Sequence, residues 1–185
     1  METPRIMVLL YREDDPSKNT ALKLVRMGFA VLVSKHSVRG YPLVLNPYSN
    51  TYLGPWYRNQ VLQHGVLVLD ASWKKLSKNK FKGLRGEHVK LPPLLPGNPI
   101  NYGKPCMLSS IEAVATTLYI TGFQDLYKKI LGVFKWMNTF DALNKELLDE
   151  YARVSTLEEL REVIVSYWEV ENPCIIQEAG EAAEA

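Results

Sequence analysis

The stretch Asn98-Pro99-Ile100-Asn101-Tyr102-Gly103-Lys104-Pro105 divides this chain, because backbone so dense in Asn, Pro and Gly is neither helix nor central strand. Its flanks, Leu94, Leu95, Met107 and Leu108, are too apolar for a solvated linker. A helix of small residues follows at once, over residues 109–121. Rigid irregular backbone pinned between ordered elements either wraps a small molecule with main-chain donors and acceptors or turns a tight corner between two parts of a fold. The local sequence weighs these two readings equally.

Upstream of the divide, apolar runs alternate with polar or helical stretches. Strands are predicted over residues 5–11, 30–34, 43–45, 66–69 and 87–91, and the loop from Asp14 to Thr20 opens a helix running to Arg26. The run Gly65-Val66-Leu67-Val68-Leu69-Asp70 has no polar alternation, so it reads as a strand buried on both faces, as in a parallel sheet. Strands joined by crossovers imply a mainly parallel sheet with helices on its faces. Ligands of such sheets sit beyond the carboxyl ends of the strands. Asp70 occupies that place. It reads either as the N-cap of a helix starting near Ser72 or as a functional acid beside an aromatic wall, Trp73; the two roles are compatible.

Downstream, the pattern is helical. Ile111, Ala115, Leu118 and Tyr119 form one apolar stripe ended by Gly122. A second helix is predicted over residues 126–134, and Phe140, Leu143, Leu147 and Tyr151 mark a third. Ser155-Thr156-Leu157-Glu158 reads as the capping box of a fourth, with Leu157, Leu160, Ile164 and Trp168 on its buried side. The aromatic residues Phe134, Trp136, Phe140, Tyr151 and Trp168 read as core. The expected organisation is an N-terminal α/β domain (1–91), a C-terminal all-helical domain (92–172) and a flexible acidic tail (173–185).

The charge is unevenly distributed. Residues 1–140 carry 19 Lys and Arg against 8 Asp and Glu, whereas residues 141–185 carry 3 against 12. The densest basic run is Lys74, Lys75, Lys78, Lys80, Lys82, Arg85 and Lys90, opposed only by Glu87. Such a run is either a solvated face or a footprint for phosphate backbones; its place directly after Asp70 and Trp73 favours nucleic acid. No apolar run approaches the ~20 residues that cross a bilayer, and the N-terminus lacks a signal-peptide layout. Cys106 and Cys174 show neither metal spacing nor a disulfide framework. A cytoplasmic protein is expected. His36, His64 and His88 have no Cys or His partner nearby and read as structural or surface residues. The usual nucleotide-binding and hydrolase motifs are absent.

Together, Leu91-Pro92-Pro93-Leu94, the 98–105 segment and Leu108-Ser109-Ser110-Ile111-Glu112-Ala113 resemble the signature of the small-subunit rRNA aminocarboxypropyltransferases. Leu69-Asp70-Ala71-Ser72-Trp73 is similar to that family's Asp-Cys-Ser-Trp at a strand end, with Ala71 in place of its cysteine. Asp14-Asp15-Pro16 through Thr20 and Leu24, Phe134-Lys135-Trp136, and residues 143–148 also match, so the resemblance runs from about Arg5 to Tyr151. Gly54-Pro55-Trp56-Tyr57 departs from the family's Ser-Pro-x-Asp, and Cys106 stands where relatives often carry an aromatic.

The resemblance implies a SPOUT-like fold with a trefoil knot. It also implies transfer of the 3-amino-3-carboxypropyl group of S-adenosyl-L-methionine to N3 of a pseudouridine or N1-methylpseudouridine in small-subunit rRNA. By alignment, Thr20, Leu69, Leu91, Cys106 and Ser110 contact the cofactor, Thr20 and Ser110 through its carboxylate. Trp73, Leu45 and Pro47 are the expected adenine or methyl pocket. Asp70 binds the cofactor's ammonium or removes the N3 proton as general base. Arg12, Lys18, Lys23, Arg26, Lys74, Lys75, Lys78, Lys82 and Arg85 are expected to hold RNA phosphates. Alternatives are an rRNA methyltransferase using the same cofactor and a non-catalytic rRNA-binding assembly factor. A monomer is expected, because the helical half covers the surface that SPOUT dimers use.

Overall fold

A computed structural model describes residues 2–11 and 19–174. Arg12, Lys18, the loop beginning at Asp14 and the acidic tail beyond Cys174 lie outside the described residues.

Five short strands, β1 (Ile6–Leu10), β2 (Val31–Val33), β3 (Leu43–Leu45), β4 (Val66–Asp70) and β5 (Glu87–Val89), pair entirely in parallel in the order β2-β1-β4-β3-β5. β4 is central, with Leu69 opposite Leu9 and Val68 opposite Leu45. Its unbroken apolar run follows from that position, since both of its faces are buried.

The direction of each crossover decides which face it covers. The steps β1→β2 and β3→β4 go the same way across the sheet, and their helices α1 (Thr20–Arg26) and α2 (Arg58–His64) lie on one face with Ile6, Val8, Leu43 and Val66. The steps β2→β3 and β4→β5 go the other way, so a constant hand sends them over the opposite face. There Val38, Leu76, Phe81 and Leu84 pack on Met7, Leu9, Val44, Leu67 and Leu69. Among the described residues this second face carries no α-helix, only 3-10 turns such as Trp73–Lys75 and Lys78–Phe81. The expectation of helices on both faces is corrected accordingly. The spacing of Leu76, Phe81 and Leu84 matches neither the strand nor the helix period, which is why the segment stays irregular; Lys78 and Lys82 are exposed, and Lys80 Nζ lies 4.9 Å from the Tyr11 ring centroid.

Past β5 the chain runs through the proline-rich segment into α3 (Ser110–Ile120), α4 (Gln124–Leu131), α5 (Met137–Arg153) and α6 (Leu157–Trp168). α3 is buried almost all round, between β4 and α1 on one side and α4 and α5 on the other. Small residues suit that position, and its buried threonines are satisfied locally: Thr116 Oγ1 donates to the Glu112 carbonyl at 2.8 Å and Thr117 Oγ1 to that of Ala113 at 3.0 Å. Sheet and helices share one core, in which Leu43, Leu45 and Val68 join Ile111, Leu118, Phe140, Tyr151 and Ile164.

Two expectations shift here. The fourth helix is capped one residue later than predicted: Thr156 accepts from the Glu159 amide at 3.2 Å, and Glu159 Oε2 accepts from the Ser155 amide at 2.8 Å. The reading of the cysteines is overturned, because Cys106 and Cys174 form a disulfide with Cα atoms 5.7 Å apart. Beyond α6 the chain turns back toward the proline-rich segment, where the Tyr52 hydroxyl donates to the Glu171 carbonyl at 3.3 Å and Lys90 Nζ to Asn172 Oδ1 at 3.2 Å. Spacing alone could not reveal a pair that this return brings together. Among the described residues no helix is long and apolar enough to cross a membrane.

Candidate functional site at the carboxyl ends of the strands

A cavity of about 830 Å³ opens where β3, β4 and β5 end, walled on its far side by residues 91–110. Thr20, Leu45, Pro47, Leu69, Asp70, Trp73, Leu91, Cys106 and Ser110 all line it. Residues from six separate parts of the chain thus converge on one space of small-molecule size.

Asp70, the last residue of β4, is held on both carboxylate oxygens. Ser110 Oγ donates to Oδ1 at 2.9 Å, and Asn19 Nδ2 donates to Oδ2. Asn19 also caps α1, its Oδ1 accepting from the Leu22 amide at 2.9 Å. The N-cap of the 3-10 turn that follows is Ser72, which accepts from the Lys74 amide at 3.3 Å. The N-cap reading of Asp70 is therefore corrected, and the carboxylate faces the cavity. Thr20 Oγ1 accepts from the Ile111 amide at 3.2 Å. Ser110 thus ties the start of α3 to the strand end, and Thr20 ties it to the start of α1.

The walls are aromatic and aliphatic. Trp73 is pinned by its Nε1, which donates to the Leu108 carbonyl at 3.1 Å, so its ring is a fixed wall. Phe134 and Trp136, stacked with centroids 5.0 Å apart and planes 15° from parallel, line the cavity as well. Their reading as core is corrected: they are half-buried at the cavity, whereas Phe140 and Tyr151 are fully buried.

The proline-rich wall is anchored by two buried polar side chains. Glu112 of α3 accepts from the Gly97 amide and Asn98 Nδ2, both at 2.7 Å, and from Ser109 Oγ at 2.8 Å and the Ser109 amide at 3.0 Å. Asn144 of α5 pairs with both backbone groups of Leu95, at 2.8 and 2.7 Å. Gly97 is required by close approach, since a Cβ there would lie 2.5 Å from the Phe140 nitrogen. Asn19, Glu112 and Asn144 carry no signal in the sequence beyond ordinary capping and helix patterns.

The cationic residues do not form one cluster. Lys74 lines the mouth together with Lys104, and Lys75 and Lys78 follow on the exposed surface. Lys82 is exposed, and Arg85 precedes β5, at the end of the sheet opposite the cavity. Lys23 is half-buried within α1, and Arg26 lies in its last turn, away from Thr20. His88 is structural: its Nε2 lies 2.8 Å from the Leu84 carbonyl and its Nδ1 3.0 Å from Asn46 Nδ2. Among the described residues no group of three or more His, Cys, Asp or Glu is placed to hold a metal.

Residues 43–168 match the family model described as "Ribosome biogenesis protein, C-terminal". The chain is 44% identical over 162 residues to a 16S rRNA aminocarboxypropyltransferase of Methanothermobacter thermautotrophicus, covering 86% of this chain and 95% of the relative. It is 41% identical over 163 residues to the protein of that name from Sulfurisphaera tokodaii, again covering 86% and 95%. The solved structure of the SAM-dependent rRNA:acp-transferase Tsr3 from Vulcanisaeta distributa superposes with a TM-score of 0.79 at 40% identity, over 86% of this chain and 88% of that one.

Proposed function

Since the chain belongs to the family of 16S rRNA aminocarboxypropyltransferases, we propose that it transfers the 3-amino-3-carboxypropyl group of S-adenosyl-L-methionine to N3 of a pseudouridine or N1-methylpseudouridine in small-subunit rRNA. The observation that carries this reading is the cavity in which one oriented carboxylate, Asp70, faces a rigid aromatic lining. That donor set fits a ligand with a flat heterocycle, an ammonium and a sulfonium: three stacking surfaces in Trp73, Phe134 and Trp136, and an anion at the strand end.

S-adenosyl-L-methionine supplies a sulfonium whose three attached carbons are all open to displacement by a nucleophile. Which carbon reacts is an orientation problem, and a fixed near-attack geometry can contribute about 7–11 kcal/mol toward the barrier. The chain's part is to hold that orientation. Trp73, with Leu45 and Pro47, covers the methyl or adenine side. The backbone of Leu69, Leu91 and Cys106 offers main-chain donors and acceptors at the cavity wall, and Thr20 and Ser110 stand at the amino end of α3, where an anion is favoured. Asp70 binds an ammonium, or accepts the N3 proton of the incoming imide as general base, an assistance of ~10²–10⁴-fold.

The SPOUT-like, knotted topology belongs to this proposal. β5 is an edge strand, yet the chain leaving it crosses back over the ends of β3 and β4, where the Leu108 carbonyl accepts from Trp73 Nε1, before starting α3. That return path supports threading of residues 91–110 through the loops that precede them. The proposal also takes the protein to be a cytoplasmic monomer that meets small-subunit rRNA through Lys23, Arg26, Lys74, Lys75, Lys78, Lys82 and Arg85.

Incubation of small-subunit rRNA with cofactor labelled either in its carboxypropyl carbons or in its methyl tests the reading. Label from the carboxypropyl arm should enter RNA with release of methylthioadenosine. Methyl label in RNA with S-adenosylhomocysteine would make the chain a methyltransferase, and no cofactor binding by calorimetry would make it an assembly factor.

A further inference from the structure

The tip of the proline-rich loop presents two large apolar side chains to solvent. Ile100 is 75% exposed and Tyr102 60%, the two most exposed large hydrophobic residues among those described. Neither lies on a mobile excursion, because the loop is tied at every turn. Its base hangs on Glu112 through Gly97 and Asn98. Asn98 Oδ1 accepts from the Asn101 amide at 2.9 Å, the Lys104 amide donates to the Asn101 carbonyl at 2.9 Å, and the Gly103 amide donates to the Pro96 carbonyl at 3.3 Å. A stiff loop that holds an isoleucine and a tyrosine in water has no folding reason to do so.

The location supplies a reason. Ile100, Asn101 and Lys104 line the cavity, and the exposed Tyr102 stands between the last two in sequence. Lys74 and Lys104 are the cations of the lining, so the rim pairs apolar surface with phosphate-binding charge. A pyrimidine ring within a stacked strand cannot reach a recessed cofactor, so the target base must leave its stack. Its neighbour then loses a stacking partner, a loss that proteins commonly offset by inserting apolar side chains.

We infer that Ile100 and Tyr102 form a stacking platform for the nucleobase adjacent to the modified one, taking the place of the extruded base. The assignment rests on the proposed rRNA-modifying activity and adds to it a substrate contact that sits on the rigid ligand loop instead of on the lysine-rich surface. The face of an aromatic ring accepts any base, so this contact holds the strand open without reading its sequence.

The test uses the full chain and an RNA hairpin carrying the target nucleotide, with 2-aminopurine at the adjacent position. Stacking on Tyr102 should quench the fluorophore on binding, and Tyr102→Ala should abolish the quench and raise the KM for RNA ~10-fold or more. Calorimetric affinity of Tyr102→Ala for S-adenosyl-L-methionine should stay within about twofold, showing that the loop and cavity are intact. Tyr102→Phe should restore both quench and KM, because the ring and not the hydroxyl makes the contact. An unchanged KM in Tyr102→Ala, or a Tyr102→Phe enzyme as impaired as the alanine variant, overturns the assignment. Failure of the proposed function shows itself differently, as absent turnover by the unsubstituted chain, and takes the platform with it.

Discussion

Ser110 Oγ donates to Asp70 Oδ1 across 2.9 Å, joining the last residue of the central strand to the first turn of the most buried helix. With Asn19 on the other oxygen, the carboxylate has one orientation available. Asp70→Asn keeps the shape but removes the charge and the basic lone pair, so turnover is expected to fall ~100-fold or more. Ser110→Ala leaves the charge but frees the orientation, and a loss of ~10-fold is expected from misplacement alone. Single-turnover kinetics with calorimetry separates the two possible roles: a general base appears as lost kcat, an ammonium ligand as lost cofactor affinity. Wild-type turnover in Asp70→Asn would exclude both.

Much of this arrangement is legible in the amino-acid sequence alone. The run Val66 to Asp70 has no polar alternation, so burial on both faces and a strand end at the aspartate followed directly. The density of Asn, Pro and Gly over 98–105 excluded regular structure and left a rigid wall. What escaped was whatever depends on distant chain. Asn19 looks like any N-cap, and Glu112 like any capping-box glutamate; that each also reaches 51 or 14 residues away is invisible locally. Leu76, Phe81 and Leu84 obey no period, so the covering of the second face without α-helices could not be read. Phe134 and Trp136 carry the same apolar signal whether they face a core or a cavity.

The buried Glu112 carboxylate should prove necessary for the ligand loop to keep its shape. Glu112→Gln replaces an acceptor oxygen with an NH₂ that must face Gly97, or Asn98 and Ser109, all of which are donors. One buried donor is then left without an acceptor, at about 2 kcal/mol. A chain of this size should lose about 4–8 °C in Tm for that amount. Cofactor affinity should drop along with it, since the wall itself is displaced. A thermal melt identical to wild type, with identical calorimetric affinity, would show that the four contacts are incidental.

Alkaline stability should depend on the tyrosines that link α3 and α4 to α5. Tyr119 donates to Asp149, and Tyr127 to Asp141 at 2.6 Å. Burial, and then the hydrogen bond to Asp149, push the Tyr119 phenol up to about 12, and burial with Asp141 raises Tyr127 as well. The unfolded phenols titrate near 10. Their contribution is therefore complete below about pH 10 and declines as pH rises toward the folded values, because the unfolded state loses its protons first. Denaturant unfolding followed between pH 8 and pH 12 should show stability falling above about pH 10. Tyr119→Phe should be less stable at neutral pH yet flatter over that range; an equally steep fall in the variant would assign the pH dependence to other groups.

Reduction of Cys106–Cys174 should loosen both the fold and the cavity. The bond spans 68 residues, and in the chain-entropy account closing a loop of that length stabilises by about 4 kcal/mol. Both cysteines also line the cavity, and the segment ending at Cys174 is otherwise held by the Tyr52 and Lys90 contacts to residues 171 and 172. Those contacts are exposed or half-exposed hydrogen bonds, each worth about 1 kcal/mol, too little to keep the segment in place alone. Cys174→Ser, or the wild-type chain under strong reductant, is thus expected to melt at lower temperature and to bind S-adenosyl-L-methionine more weakly. Cys106→Ser should reproduce the loss, and reductant should then add nothing to either variant. Equal melting temperatures with and without reductant in the wild-type chain would mean that the two thiols are not joined in solution.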